Sequence, residues 1–136
     1  MKPETIALQK RIHDFFMRVI ALCGRLPNNA AARSISDQLL DSAGSTDSNY
    51  RAACRARSRK EFVAKIGVAA EEADESLGWL QSLRDGNLAT GDELAALIKE
   101  ADELTAILVK SHKTSAENEQ KAQAAKRGTT TRRRRP

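Results

Sequence analysis

The sequence predicts an all-α protein, an up-down-up-down antiparallel four-helix bundle followed by a basic C-terminal tail. Three observations predict it. Only 3 Pro and 7 Gly occur in 136 residues, too few for the turns of a sandwich or barrel. The strong helix formers Ala, Leu, Glu, Lys and Arg are abundant. Apolar residues recur at steps of three and four along four segments joined by three short breaks, which makes sequential helices antiparallel neighbours. The length suits one domain, placed at residues 1–112, with a polar tail at 113–136.

The first helix spans about residues 4–25, on a stripe of Leu8, Ile12, Phe15, Val19, Leu22 and Leu26. Pro27 disfavours helical geometry at Leu26, and an Asn of Asn28-Asn29 can cap the next helix. The second helix, about 29–55, has a weaker stripe of small and polar residues: Ala32, Ile35, Leu39, Ser42, Ala43, Thr46, Asn49, Tyr50 and Ala53. Gly44 and the Ser-Thr-Asp-Ser stretch lower its intrinsic helicity, so tertiary packing must hold it. Ser42, Thr46 and Asn49 then form a structural polar seam and need hydrogen-bond partners.

Ser58-x-x-Glu61 reads as a capping box opening the third helix near residue 59, on Phe62, Ile66, Ala69, Ala73, Leu77, Leu80 and Leu83. That helix stops at Asp85-Gly86-Asn87. Thr90-x-x-Glu93 reads as a second box, opening the fourth helix on Leu94, Leu97, Ile98, Ala101, Leu104, Ile107 and Leu108. The stripe fades near Lys110. Beyond it, 113–136 holds no large apolar residue; its first part can prolong the fourth helix, and the tail as a whole is expected to be largely disordered.

Charge is unevenly placed along the chain. The formal net charge is +5, yet residues 121–136 carry seven cations and no acid, leaving sixteen cations against eighteen acids before them. Such a tail suits a basic arm meeting an anionic partner, or a solubilising end. Arg51, Arg55, Arg57, Arg59, Lys60 and Lys65 form a second basic cluster, with no acid between Arg51 and Lys60. Two readings fit: bidentate contacts to phosphates, or pairing with acids on the bundle or a neighbour. Aromatic residues make up only 4% of the chain, so any nucleic acid would be read through its backbone.

Little supports catalysis. Neither histidine has an acid three residues before it, as di-iron bundles require, since Lys10 precedes His13 and Val109 precedes His112. No metal site and no cofactor are therefore expected, and the histidines read as surface residues near helix ends. No phosphate-binding Gly-rich loop or nucleophile motif is present. Glu72 and Glu75 share a helical flank beside Trp79, where they could serve as acid and base; a structural role on a solvated or ion-paired face is the preferred reading. Cys23 and Cys54 lie near opposite ends of the antiparallel hairpin, too far apart to bridge, and fit free thiols in a reducing compartment. No apolar run reaches the roughly 20 residues of a membrane span, and no signal-peptide core is visible, so a cytoplasmic protein without membrane contact is expected. Phe16, Ile20, Val63 and Trp79 widen the apolar stripes; they suit subunit contacts in a homo-oligomer, or broaden the monomer core.

The series Leu26-Pro27, Gln38-x-x-x-Ser42-x-x-Ser45-x-x-x-Asn49 and Ser58-x-x-Glu61-Phe62-x-x-Lys65-Ile66-x-x-Ala69-x-x-Glu72-x-x-Glu75-x-x-x-Trp79-Leu80 resembles a bacterial family. It is that of four-helix-bundle proteins encoded in intervening sequences of large-subunit ribosomal RNA genes, which includes the accessory variability determinant of diversity-generating retroelements. The likeness covers about residues 8–110. It departs at Asp41, where an arginine is common, and after Asn49, where Tyr50-Arg51-Ala52-Ala53 replaces an Ile-Ala-Glu-Gly type of ending. The resemblance implies a left-handed bundle assembled into a ring of five, RNA or DNA association for some members, and no catalytic residues. The resulting expectation is a non-enzymatic, homopentameric scaffold binding nucleic acid through Arg51, Arg55, Arg57, Arg59, Lys60 and the run Arg132, Arg133, Arg134 and Arg135. The alternative is a protein-binding assembly factor that binds no nucleic acid.

Overall fold

A computed structural model describes residues 1–134, with the backbone alone for 130–134. Four helices follow one another: α1 (Pro3–Cys23), α2 (Ala30–Cys54), α3 (Arg59–Asp85) and α4 (Asp92–Arg134). In space α1 packs on α2 and α4, and α3 packs on α2 and α4, closing an antiparallel square.

The buried positions explain the square. Ile12, Phe15, Val19 and Leu22 are the buried series of α1, and Leu94, Leu97, Ala101, Leu104 and Leu108 that of α4, each spaced alternately by three and four. This period of about 3.5 residues keeps one seam facing the core when helices cross at small angles. On α3 the seam is Ile66, Ala69, Ala73, Ser76, Leu80 and Leu83, with Leu77 only half-buried beside it. The seam of α2 is the small and polar one expected, with Ala32, Leu39, Ser42, Ala43, Thr46 and Tyr50 all buried. Ile107, expected in the core stripe of α4, is 37% exposed because its neighbour Leu108 takes the inward position.

The connections follow local chemistry. Asn29 caps α2, its Oδ1 accepting from the Ala32 amide at 2.9 Å. Ser58 caps α3, its Oγ accepting from the Glu61 amide at 3.0 Å; the Glu61 carboxylate reaches back one residue further than a standard box, to the Arg57 amide at 3.2 Å. At the end of α3, Asn87 adopts φ 56°, and Leu88 and Asn87 donate to the Leu83 and Arg84 carbonyls. This is a Schellman closure with Asn, not Gly86, in the left-handed position. The second capping box does not form: α4 starts at Asp92, the Gly91 carbonyl accepts from Ala95, and Glu93 pairs with Arg18 instead.

Helix α4 does not stop where its apolar stripe fades. It continues to Arg134, further than the largely disordered tail expected from residue 113. Ala116, Ala122, Ala124 and Ala125, interspersed with Glu, Gln and Lys, are strong helix formers and need no core to favour this backbone. The longer helix also puts His112 well inside α4 rather than near its end.

Candidate nucleic-acid interface

An antiparallel square of helices has two ends. The α2–α3 connection, the start of α1 and the far part of α4 share one of them. Arg59 Nη1 reaches the Asn118 carbonyl at 3.5 Å, which sets the level at which α4 passes the first turn of α3. The Tyr50 hydroxyl, buried near the same end, lies against Thr5 and Cys54, and burial pushes its phenol well above the ordinary tyrosine range. That anchor fixes the last turn of α2, and with it the direction in which Arg51 and Arg55 leave the bundle.

Here the structure brings the basic loop cluster next to the start of the basic tail, about 60 residues later in the sequence. Arg51, Arg55, Arg57, Arg59 and Lys60 are all exposed, around a connection only four residues long between α2 and α3. Among the described residues none of these five forms an ion pair. The contrast lies on α1, where Arg11 bridges Glu100 and Glu103 at 2.6 Å each and Arg18 meets Glu93 at 2.9 Å. Lys121, Lys126 and Arg127 continue the basic surface along the exposed part of α4. Of the arginine run, residues 132–134 lie on the last turn of the helix, and Arg135 lies outside the described residues.

The polar seam is satisfied. The Ser42 and Ser76 hydroxyls meet at 2.8 Å, Thr46 Oγ1 donates to the Ser42 carbonyl at 2.8 Å, and Asn49 donates to the Ser45 carbonyl and hydroxyl. Ser76, its partner on α3, is not part of the apolar pattern and only its three- and four-residue spacing from Ala73 and Leu80 marks it. Asp47 is the other buried polar residue that the apolar pattern misses. It is 3% exposed, its Oδ2 meets His13 Nδ1 at 3.0 Å, and its Oδ1 is buried without a partner among the described residues. His13 is a surface residue, but it sits in the middle of α1 and engages α2, while His112 is half-buried against Gly67; neither lies near a helix end.

Glu72 is half-buried and Glu75 exposed. Burial, then the neighbouring Glu75, Glu71 and Asp41, hold the Glu72 carboxyl above the usual carboxylate range. A surface cavity of about 370 Å³ beside them is lined by Glu71, Asp74, Thr105 and His112, and by neither Glu72 nor Glu75. No group of three or more His, Cys, Asp or Glu capable of holding a metal occurs among the described residues. Cys23 and Cys54 are free, and burial raises both thiols. No helix among the described residues is long and apolar enough to cross a membrane.

Of the four residues expected at subunit contacts, Phe16 and Trp79 pack against the core and Val63 is half-buried, while Ile20 is 44% exposed. Phe16 lies over Gly44, where any Cβ would come within 3.1 Å of its ring. Trp79 Nε1 is buried with no acceptor among the described residues. Ile6 and Met17 join Ile20 as exposed apolar residues of α1, and Val68, Ile107 and Val109 form a second exposed set on α3 and α4.

These features define a four-helix bundle with one strongly basic end. Residues 4–110 match the family profile of the 23S rRNA-intervening sequence proteins, and the chain belongs to that family. Among solved structures it is similar to a protein of unknown function from the S23 ribosomal protein family of Bacteroides thetaiotaomicron. The two are 27% identical and superpose with a TM-score of 0.73 over 80% of this chain and 97% of the other. No curated protein matches the chain.

Proposed function

We propose that this protein is a non-enzymatic, homo-oligomeric scaffold that binds nucleic acid at its basic end. One observation supports it above the rest: five exposed cations around the α2–α3 connection, none ion-paired among the described residues, stand beside the basic stretch of α4. Guanidinium groups so placed match phosphate oxygens bidentately, and neutralising several phosphates releases counterions. The scarcity of aromatic side chains favours backbone contact over base stacking. Two separate exposed apolar sets, on α1 and on α3 and α4, suit a head-to-tail interface, which closes into a ring when the rotation permits. The family resemblance favours five subunits, and a ring would turn weak individual contacts into avidity. The cytoplasm, where ribosomal RNA is met, is the matching compartment.

Light scattering in about 150 mM salt, followed by titration with a generic RNA at several salt concentrations, tests this. A mass of five chains and binding that weakens steeply with salt are expected. A monomer, or a ring indifferent to nucleic acid, overturns the proposal in favour of a protein-binding assembly factor.

A further inference from the structure

The part of α4 that runs past the bundle has a property that the loop arginines lack: it is a single helix with cations on every side. After the level of Asn118 the chain continues as helix to Arg134, and no acid follows Glu119. Residues 119–134 reach about 24 Å at 1.5 Å per residue. At about 100° per residue the backbone register puts positions 121 and 132 on one side, 126 and 133 roughly a third of a turn further, and 127 and 134 a third of a turn beyond that. All six are Lys or Arg.

This distribution discriminates between anionic partners. A helix lying on a lipid surface needs cations on one face and large apolar residues on the other, and 113–134 holds no large apolar residue. A helix seated in a groove has phosphates on both walls and is served by cations on all sides. The major groove of B-form DNA, about 12 Å wide, admits an α-helix of about 10–12 Å diameter. The A-form major groove of duplex RNA is deep and too narrow for one. Apart from Gln123 the residues between the cations are small or short, with Ala122, Ala124, Ala125, Gly128 and Thr129 allowing close approach to the groove floor.

We infer that the projecting part of α4 is a groove-binding arm for duplex DNA, with Arg51, Arg55, Arg57 and Arg59 at its base set to meet the flanking phosphates. The inference rests on the nucleic-acid reading above and names its ligand class.

The test is fluorescence anisotropy of the full chain with a 24-base-pair DNA duplex, the RNA duplex of the same sequence and the DNA single strand, at about 150 mM salt. The DNA duplex is expected to bind at least about tenfold more tightly than the RNA duplex, and truncation after Gln120 to remove that difference. Ala125→Pro keeps every charge but breaks the helix outside the bundle, so it is expected to lower DNA affinity about fivefold or more at unchanged melting temperature. Equal affinity for the two duplexes, or an Ala125→Pro chain that binds DNA like the parent, overturns the arm while leaving a salt-dependent scaffold standing. Binding to none of the three probes overturns both.

Discussion

The Ser42 and Ser76 hydroxyls meet at 2.8 Å across the α2–α3 seam, and both side chains are buried. Each also donates or can donate to its own helix, Ser42 to the Leu39 carbonyl at 3.2 Å and Ser76 to the Glu72 carbonyl at 2.9 Å. A lone survivor of the pair therefore keeps one local partner but loses the cross-helix one. Either Ser→Ala change is expected to lower stability by about 1 kcal/mol, and the double change by clearly less than the sum. A double-mutant cycle from urea unfolding measures the difference; strict additivity would show that the hydroxyls do not interact.

Those two residues also show how far the sequence reaches. Apolar steps of three and four located every helix boundary except the end of α4 to within a few residues, because a bundle core must present one face of each helix inward. Asn29 and Ser58 acted as caps because a side-chain oxygen preceding a helix finds an unpaired amide without help from the rest of the fold. Thr90 and Glu93 show the limit: Arg18, 75 residues earlier in the chain, engages Glu93, and no local pattern reports such a partner. The seam on α2 announced that buried hydroxyls needed partners, but Ser76 and the burial of Asp47 emerge only when α2 lies against α3 and α1.

Gly44 sets the approach of α1 to α2, with the Phe16 ring occupying the space a side chain would need. Gly44→Leu overfills that contact, and a melting-temperature loss equivalent to about 1–3 kcal/mol is expected. Gly44→Leu combined with Phe16→Ala is expected to recover part of it. A double variant no better than the single would mean that backbone flexibility, not the ring, is what Gly44 supplies.

Glu72 links packing to pH. Burial and its acidic neighbours raise its folded pKa above the ordinary value of 4.5, so the native state holds the proton more tightly than the unfolded chain does. This stabilisation is fully present below that ordinary value and is lost as pH rises through the raised folded value. Glu72→Gln should consequently raise the melting temperature near pH 7, with the advantage over the parent closing below the ordinary value. Melting curves from about pH 3 to 8 check the sign, and an advantage that grows towards acid would contradict it.

His13 and Asp47 tie α1 to α2 through a carboxylate that is almost wholly buried. His13→Ala leaves Asp47 with neither oxygen partnered, and a loss of about 1–3 kcal/mol is expected. Asp47→Ala in the same background removes the stranded charge and should restore stability relative to His13→Ala alone. Chemical denaturation of the two variants decides; equal stabilities would mean that water reaches the carboxylate once the ring is gone.

The basic end was legible as composition but not as a place. The loop cluster and the tail both stand out as cations without acids, yet only the antiparallel order of the helices and the unbroken run of α4 put the start of the tail beside the loop. What separates the loop arginines from Arg11 and Arg18 is their lack of ion pairs among the described residues, a three-dimensional property invisible in the chain.

That difference predicts which arginines govern salt dependence. Each phosphate contact contributes about 0.7–0.9 to the slope of log K against log salt, so replacing Arg51, Arg55, Arg57 and Arg59 with Gln should flatten the slope by about 3. Arg11→Gln and Arg18→Gln, whose guanidinium groups are already held by Glu100, Glu103 and Glu93, should lower the melting temperature and leave the slope alone. Salt titrations of the two variant sets against one nucleic-acid probe make the comparison. If the α1 arginines moved the slope and the loop arginines did not, the contact surface would lie along the α1–α4 seam rather than at the basic end.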